Sequence, residues 1–144
     1  MEREIVRYRG CFVCGQDNVI GLNLNFYSDG EVARTKWLPD RRHEGYKDIV
    51  HGGLLAAVLD EVMVKAALAK DIRCVTASME VRYKAPAEVG DELLFEGRVT
   101  EQRGRIIFTA GWARNSKGVI VAQATGKYMT VPGDLDKRLA TSLE

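Results

Sequence analysis

The sequence has little that would attract a nucleic acid or a membrane. Its 21 Lys and Arg residues nearly balance its 20 Asp and Glu residues, which leaves a formal net charge of +1. No overall field therefore draws the chain to a polyanion or an anionic lipid surface. No uncharged apolar stretch is long enough to span a bilayer, and no apolar run leads into a processing site. We expect a cytoplasmic protein without nucleic-acid or membrane partners.

Cysteines and two common catalytic loops are also scarce or missing. Three cysteines are an odd number and a poor disulfide framework, which suits a reducing compartment. There is no Gly-rich phosphate loop followed by Lys and no Gly-x-Ser-x-Gly motif, which disfavours nucleotide hydrolysis and serine-triad hydrolysis. The length of 144 residues predicts one domain over 1–144, with an irregular N-terminal segment (1–20) and a weakly ordered tail (133–144).

One long apolar stretch, from His51 to Lys70, organises the chain. After Gly52-Gly53 it is rich in Ala, Leu and Met without another Gly or Pro, which predicts a long helix. Apolar residues surround this helix on nearly all sides, so it should be buried. The adjacent carboxylates Asp60 and Glu61 in its middle are therefore an anomaly, because a buried charge must be paired or used.

The remaining segments predict a sheet. Residues 22–27 alternate in polarity, Asp29-Gly30 is a hairpin signal, and 39–50 is predicted to be a long loop. The predicted strands are 22–27, 31–38, 75–83, 91–103, 105–114 and a last strand ending at Pro132. Small inward residues, including Gly97 and Gly111, let such strands approach the helix closely. We predict an α+β domain in which a curved antiparallel sheet of five or six strands wraps around one long central helix. Because one helix leaves sheet edges open, a homodimer is expected.

The start and the middle of the helix carry the candidate chemistry. The N–H groups of Gly52 and Gly53 lie in the first helical turn, where they could bind an oxyanion; equally, the glycines could only permit a sharp turn. Glu61 has a partner in Lys65, four residues on, whereas Asp60 has none nearby in the helix. We favour Asp60 as a base or nucleophile over a structural hydrogen bond to a loop. It lies too far from Gly52, so one site would need two helices.

The histidines and cysteines leave alternatives open. His51 could bind a substrate carbonyl or water, or order the loop, whereas His43 looks more like a surface residue than a catalytic one. Cys11-x-x-Cys14 resembles half of a zinc ribbon, but a closed zinc site needs four ligands. We favour packed free thiols, then a redox pair, over a zinc site shared across a dimer, and we assign no metal.

The sequence resembles the hotdog-fold acyl-CoA thioesterases of the PaaI-like branch, within the 4-hydroxybenzoyl-CoA thioesterase superfamily. The resemblance covers about 11–131. It is carried by His51-Gly52-Gly53, by Asp60 nine residues after His51, by Thr76-Ala77-Ser78-Met79 running to Tyr83-x-x-Pro86, and by Cys11-Phe12-Val13-Cys14-Gly15 with Gly21-Leu22 and Phe26.

The resemblance implies a dimer, often paired into a tetramer, with active sites at the subunit interface. Gly52, with Gly53 beside it, matches the donor to the thioester oxygen, and Asp60 the carboxylate that attacks or activates water. His51 matches a residue that orients substrate, and Thr76 one that assists the carboxylate. The phosphates of coenzyme A would favour basic residues around the site, and the candidates are Arg82, Lys84, Arg103 and Lys127; solvated surface charge is the preferred interpretation of each. His43 is a further substrate-binding candidate, again with a surface position preferred.

The function predicted from the sequence is hydrolysis of an acyl-CoA thioester to a free acid and CoA, without a cofactor other than the CoA of the substrate. The alternative is a non-catalytic module on the same fold that binds or senses acyl-CoA. A pure binder would not need the pair of Asp60 and Gly52. A hydratase of the same fold is a third possibility, but its Asp-x4-His arrangement is missing from the helix.

Overall fold

The computed structural model describes residues 1–143, which contain one seven-stranded antiparallel sheet and one long helix. The helix α1 spans Gly52–Leu68, and a short helix α2 spans Gly133–Ala140. The strands are β1 (Arg3–Glu4), β2 (Tyr27–Ser28), β3 (Ala33–Trp37), β4 (Cys74–Tyr83), β5 (Leu93–Arg103), β6 (Ile106–Arg114) and β7 (Ile120–Thr130). Their order in the sheet is β1-β2-β3-β5-β6-β7-β4. The predicted α+β class, with a sheet around one central helix, is confirmed. The sheet has seven strands and not the predicted five or six, because the short strand β1 of the N-terminal segment pairs with β2.

Helix α1 lies against the sheet because glycines on the facing strands admit it. Val58, Leu59 and Val62 of the helix are fully buried. A Cβ atom on Gly97 of β5 would lie 2.9 Å from the carbonyl oxygen of Val62. A side chain at this position would therefore push the helix away from the sheet, as the sequence pattern of small inward residues predicted.

The predicted strand over 22–27 is wrong for all but its last residue. The N–H of Leu24 donates to the carbonyl of Val13 rather than to a neighbouring strand. Asn23 has a φ of 54°, in the left-handed region, which interrupts an extended conformation. Leu24 and Phe26 are nevertheless buried, so the alternation of apolar residues reflects packing of a loop and not strand geometry.

The two ends of the chain add small elements to this core. In the segment predicted as irregular (1–20), β1 is the only helix or strand that the structure describes. In place of the predicted weakly ordered tail, residues 133–140 form α2, which is tied to the domain by an ion pair of 2.7 Å between Arg73 and Asp136. Glu144 lies outside the described residues. Within residues 1–143, no helix combines the length and the apolar character needed to cross a membrane.

Strand β4 leaves a long edge of the sheet open. It pairs with β7 on one side only, and at ten residues it is far longer than β1 at the opposite edge. Most of its residues are exposed, including Val75 and Tyr83 near its two ends. An open edge of this length offers unpaired N–H and C=O groups to another strand.

Candidate functional site

The Asp60 carboxylate is held by two hydroxyl groups from the sheet. The hydroxyl of Tyr128 donates to Oδ1 of Asp60 at 2.7 Å, and the hydroxyl of Thr76 donates to the same oxygen at 2.9 Å. Among the described residues, Oδ2 has no hydrogen-bond partner. Asp60 is partly exposed, so Oδ2 remains available to a ligand. Two hydroxyl groups thus fix Oδ1 of the carboxylate, and Oδ2 is free to accept a hydrogen bond.

A β-bulge explains why Thr76 reaches this carboxylate. Strict alternation along β4 would place Thr76 on the face away from the helix. The register between β4 and β7 shifts between Thr76 and Ser78, so that Ala77 is an extra residue. Thr76 pairs directly with Tyr128 across the two strands. The pair therefore presents both hydroxyls to Asp60, which an unbroken alternation along β4 would not allow.

Tyr128 is a site residue that the sequence analysis missed. It is fully buried, and a Cβ atom on Gly126 would come within 2.6 Å of its ring, so Gly126 provides the space that the ring fills. Burial, followed by the charge of Asp60, raises the pKa of Tyr128 well above its usual range, which keeps the hydroxyl protonated as a donor. Tyr128 shares one face of β7 with the small residues Ala122, Ala124 and Gly126, and a buried tyrosine hydroxyl normally has a partner; that was the available signal.

The two glycines at the start of α1 differ in the hydrogen bonds of their N–H groups. The Nδ1 atom of His51 accepts a hydrogen bond of 2.9 Å from the N–H of Gly53, which makes His51 the N-cap of the helix. Among the described residues, the N–H of Gly52 has no acceptor. Only the Gly52 donor is therefore free for a ligand, and His51 shapes the turn that presents it.

The Gly52 donor borders an open cleft of about 800 Å³. The ring of Tyr83 lies against Gly52, and its hydroxyl donates to the Gly52 carbonyl at 2.7 Å. A Cβ atom on Gly52 would lie 3.3 Å from this ring. The absence of a side chain therefore leaves the space between the ring and the Gly52 backbone open to a ligand. The cleft is also lined by Tyr46, Leu55 and Lys84.

Asp60 and Gly52 of one chain do not form a single site. They are separated by eight residues of one helix, which is about 12 Å along its axis. Asp60 contacts Thr76 at the beginning of β4, and Gly52 contacts Tyr83 at the end of the same strand. The two groups therefore mark opposite ends of the open edge.

A second polar cluster adjoins Asp60 in sequence. The predicted pair of Glu61 and Lys65 is confirmed, with 3.6 Å between Oε2 and Nζ, but Lys65 is fully buried. The Lys65 ammonium also donates to the carbonyl of Val6 and lies 5.2 Å from the centre of the Tyr8 ring. Burial, and then the charge of Cys11, raises the pKa of Glu61 to about 7.

Cys11 and Cys14 belong to this second cluster. Their sulfur atoms and a carboxylate oxygen of Glu61 all lie within 4.8 Å of one another. A hydrogen bond from the Cys14 thiol lowers the pKa of Cys11 to about 5, and the same bond, with burial, raises the pKa of Cys14. These three donor atoms are one fewer than a closed zinc site requires, and the Lys65 ammonium disfavours a cation beside them.

The other candidate substrate-binding residues fall into two groups. His43 is largely packed inside the chain, where it contacts Trp37 and accepts a hydrogen bond from the N–H of Asp40. This arrangement corrects its description as a surface residue. Arg82 pairs with Glu80 at 2.9 Å, Arg103 pairs with Glu101 at 3.0 Å, Lys127 lies over Phe108, and Lys84 lines the cleft at Gly52. Of the four basic residues, only Lys84 lines that cleft.

Comparisons with known proteins agree with this architecture. The profile of the thioesterase superfamily matches residues 47–122. A thioesterase superfamily protein of known crystal structure is 27% identical in sequence to this chain, with a TM-score of 0.79, over 90% of this chain and 67% of that one. The E. coli PaaI protein from the phenylacetic acid degradation operon is 19% identical to this chain, with a TM-score of 0.72, over 78% of this chain and 82% of that one.

A third structure contains a bound ligand. The smu.793 protein of Streptococcus mutans, bound to acetyl CoA, is 18% identical to this chain, with a TM-score of 0.73, over 81% of this chain and 94% of that one. No curated protein matches the sequence significantly. The profile match includes α1, β4, β5 and β6, and with them Gly52, Asp60 and Thr76. The chain belongs to the thioesterase superfamily and has the hotdog fold of that superfamily.

Proposed function

We propose that this protein hydrolyses acyl-CoA thioesters to a carboxylic acid and CoA. The main support for the proposal is the hydrogen bonding of the Asp60 carboxylate. One of its carboxylate oxygens is fixed by Tyr128 and Thr76, and the other has no partner among residues 1–143. A positioned carboxylate with one free oxygen suits a general base or a nucleophile, since both roles need an aligned and accessible oxygen.

We infer that each active site combines two copies of the chain. If the open edges of two β4 strands pair antiparallel, the beginning of one strand lies opposite the end of the other. Thr76, which contacts Asp60, would then lie opposite Tyr83 of the other copy, which contacts Gly52. The pairing thus supports a site built from Asp60 of one copy and Gly52 of the other, and two-fold symmetry produces two such sites.

The chemistry follows from these two groups. As a base, Asp60 takes a proton from water, and the resulting hydroxide attacks the thioester carbonyl. As a nucleophile, Asp60 attacks the carbonyl itself and forms an anhydride, which water then opens. In both routes the carbonyl oxygen gains negative charge, which the free N–H of Gly52 and the start of α1 stabilise. In the base route the C–S bond breaks when the tetrahedral intermediate collapses, and the CoA thiolate takes the proton that Asp60 received from water. In the nucleophilic route the C–S bond breaks as the anhydride forms, and the thiolate takes the proton of the water that later opens the anhydride.

CoA is supported as the thiol part of the substrate by the ligands of similar proteins. Acetyl CoA is bound in the Streptococcus mutans structure, and a structure of a Streptococcus pneumoniae thioesterase of the same fold contains coenzyme A. In this chain, Lys84 lies at the cleft beside Gly52, where an ammonium group would attract a phosphate. The acyl group would enter between the two copies, beside α1.

A panel of acyl-CoA thioesters with short, long and aromatic acyl groups tests the proposal, with thiol release as the measurement. Hydrolysis of at least one member by the wild type, and its loss in Asp60→Ala with the fold intact, is the expected result. Binding of acyl-CoA without thiol release across the panel would favour a non-catalytic module that binds or senses acyl-CoA. Turnover retained by Asp60→Ala would reject the assignment of Asp60.

A single turnover in heavy-oxygen water separates the two routes. If Asp60 is the nucleophile, water opens the anhydride, and label enters the Asp60 carboxylate when it attacks on that side. If Asp60 is a base, the label appears only in the acid product. Mass spectrometry of the peptide that contains Asp60 measures the difference.

A further inference from the structure

The cluster of Cys11, Cys14 and Glu61 is not used by the proposed hydrolysis. In this cluster Cys11 of the N-terminal segment contacts Glu61 of α1. The third cysteine of the chain, Cys74, is also a free thiol. The N–H of Cys14 lies 3.5 Å from the sulfur of Cys11, and that sulfur lies 3.6 Å from Oε2 of Glu61. Two thiols and a carboxylate are thus in mutual contact.

The two thiols differ in access to solvent. Cys11 is partly exposed and borders an apolar cavity of about 480 Å³, whose walls include Val64, Leu68 and Ile72. Cys14 is fully buried behind it. An external reagent can therefore reach Cys11 first, whereas Cys14 can react only with what is already attached to Cys11.

We propose that Cys11 and Cys14 form a redox-active pair that reduces small organic disulfides and becomes a disulfide itself. Cys11 is the attacking residue, Cys14 is the resolving residue, and Glu61 transfers protons. The apolar cavity beside Cys11 suits a disulfide with a small apolar or aromatic group. This activity is independent of the proposed thioester hydrolysis.

The reaction balances in two steps. In the first, the Cys11 thiolate attacks one sulfur of the disulfide, a mixed disulfide forms, and the departing thiolate takes the proton of Glu61. In the second, the Glu61 carboxylate takes the proton of Cys14, and the Cys14 thiolate attacks the sulfur of Cys11. The second thiolate leaves with that proton. Two cysteine sulfurs are oxidised, and one organic disulfide is reduced to two thiols.

The electrostatics of the cluster fit this order of events. The pKa of Cys11 is lowered to about 5, so its attacking thiolate is present at neutral pH, whereas the pKa of Cys14 is raised, so Cys14 waits as a thiol. The negative charge of Cys11 is among the causes that raise the pKa of Glu61 to about 7. When Cys11 enters the mixed disulfide that charge disappears, and Glu61 can ionise and accept the proton of Cys14.

The test uses 5,5′-dithiobis(2-nitrobenzoate), an aromatic disulfide whose thiolate product is coloured. The full chain carries Cys74→Ser, because Cys74 borders the same cavity. We expect one reagent molecule to yield two aromatic thiols per chain, which ionise in neutral buffer to the coloured thiolate, and an intramolecular Cys11–Cys14 disulfide, identified by mass spectrometry. The additional change Cys14→Ser should yield one thiolate and a stable adduct on Cys11. The additional change Cys11→Ser should nearly abolish the fast reaction.

Two further measurements exclude simpler roles. The rate of the first step should stay nearly constant from pH 6 to 8, whereas that of an ordinary thiol rises about tenfold per pH unit there. Glu61→Gln should slow the second thiolate release about a hundredfold, as expected for a lost proton acceptor. A stable adduct in the Cys74→Ser chain would overturn the proposal. So would one zinc ion per chain as purified that is lost in Cys14→Ser, because both cysteines would then be metal ligands.

Discussion

Asp60 and Glu61 are neighbours on α1, yet the fold places their carboxylates in two different environments. Asp60 is partly exposed, receives two hydroxyl hydrogen bonds and keeps one oxygen free. Glu61 is buried beside the Lys65 ammonium and the sulfur of Cys11. Successive residues of a helix point about 100° apart, so one helix serves two unrelated polar clusters.

A charge in an apolar helix is therefore not by itself a sign of catalysis. Glu61 has a counterion in Lys65, and burial with the charge of Cys11 raises its pKa to about 7. Asp60 has an aligned and accessible oxygen. The accessible oxygen, and not a raised pKa, distinguishes the carboxylate proposed to react with substrate.

The largest expected difference is in catalysis by two isosteric variants. Asp60→Asn should lower kcat about 10³-fold, because an amide is neither a base nor a nucleophile, while its oxygen still accepts the hydroxyls of Tyr128 and Thr76. Glu61→Gln should change kcat less than about threefold, because Glu61 contacts the cysteine cluster and not the hydrolytic site. Thiol release from an acyl-CoA measures both. Equal losses of kcat in the two variants would contradict the separate roles of Asp60 and Glu61.

The next largest effect concerns the free donor at the start of α1. Gly52→Pro removes the N–H and adds a ring. The backbone tolerates it, since proline is favoured at the first helical position and His51 has φ −59° and ψ 127°, which a residue before proline adopts readily. We expect kcat to fall about 10²-fold to 10³-fold, as for a lost oxyanion donor.

The matched control for this donor is Gly52→Ala, which keeps the N–H and adds a Cβ atom 3.3 Å from the Tyr83 ring. It should retain more activity than Gly52→Pro. Equal activity in the two variants would mean that the N–H is not used and that only space at Gly52 matters. Circular dichroism and thermal unfolding check that both variants fold.

A smaller effect is the pH dependence of stability due to Glu61. Its pKa is about 7 in the folded chain against 4.5 for a free carboxyl, so the folded state holds the proton more tightly. The sign follows from linkage: this contribution to the free energy of unfolding is fully present below pH 4.5 and is lost as the pH rises through about 7. A shift of this size corresponds to at most about 3 kcal/mol.

The measurement compares the wild type with Glu61→Gln by urea unfolding between pH 4.5 and 8. The wild type should lose stability relative to the variant as the pH rises, because the glutamine does not titrate. A constant difference across this range would show that the surroundings of Glu61 do not shift its proton affinity.

The smallest predicted effect is that of the Tyr128 hydroxyl. Tyr128→Phe removes the hydrogen bond of 2.7 Å to Asp60 but keeps the buried ring, so kcat should fall about tenfold. Thr109→Val is a control, because it removes another buried hydroxyl, bonded to the Gly126 carbonyl and not to Asp60. An unchanged kcat in Tyr128→Phe would show that Thr76 alone positions the carboxylate.

Local patterns of the sequence were sufficient for the main elements. The apolar run predicted α1, the spacing of Glu61 and Lys65 predicted their ion pair, and the inward glycines predicted close packing of helix and sheet. These features depend on residues near in sequence or on a regular period. The resemblance to the thioesterases indicated Thr76 as a partner of the Asp60 carboxylate, and the structure places its hydroxyl 2.9 Å from Oδ1.

Features that depend on distant residues were missed. Tyr128 meets Asp60 across 68 residues, and Cys11 meets Glu61 across 50, so no local period relates them. The bulge at Ala77 shifts the phase of β4 without a glycine to mark it. His51 caps the helix through Gly53, a local contact, but histidine is not among the preferred capping residues.

Mixed dimers test most directly the claim that one site uses Asp60 of one copy and Gly52 of the other. Asp60→Asn and Gly52→Pro chains carrying different affinity tags are co-expressed, and the mixed dimer is purified through both tags. Each variant alone should be nearly inactive. The mixed dimer contains one site with wild-type Asp60 and wild-type Gly52, so it should show about half the thiol release of the wild-type dimer. A mixed dimer as inactive as its parents would contradict the shared site.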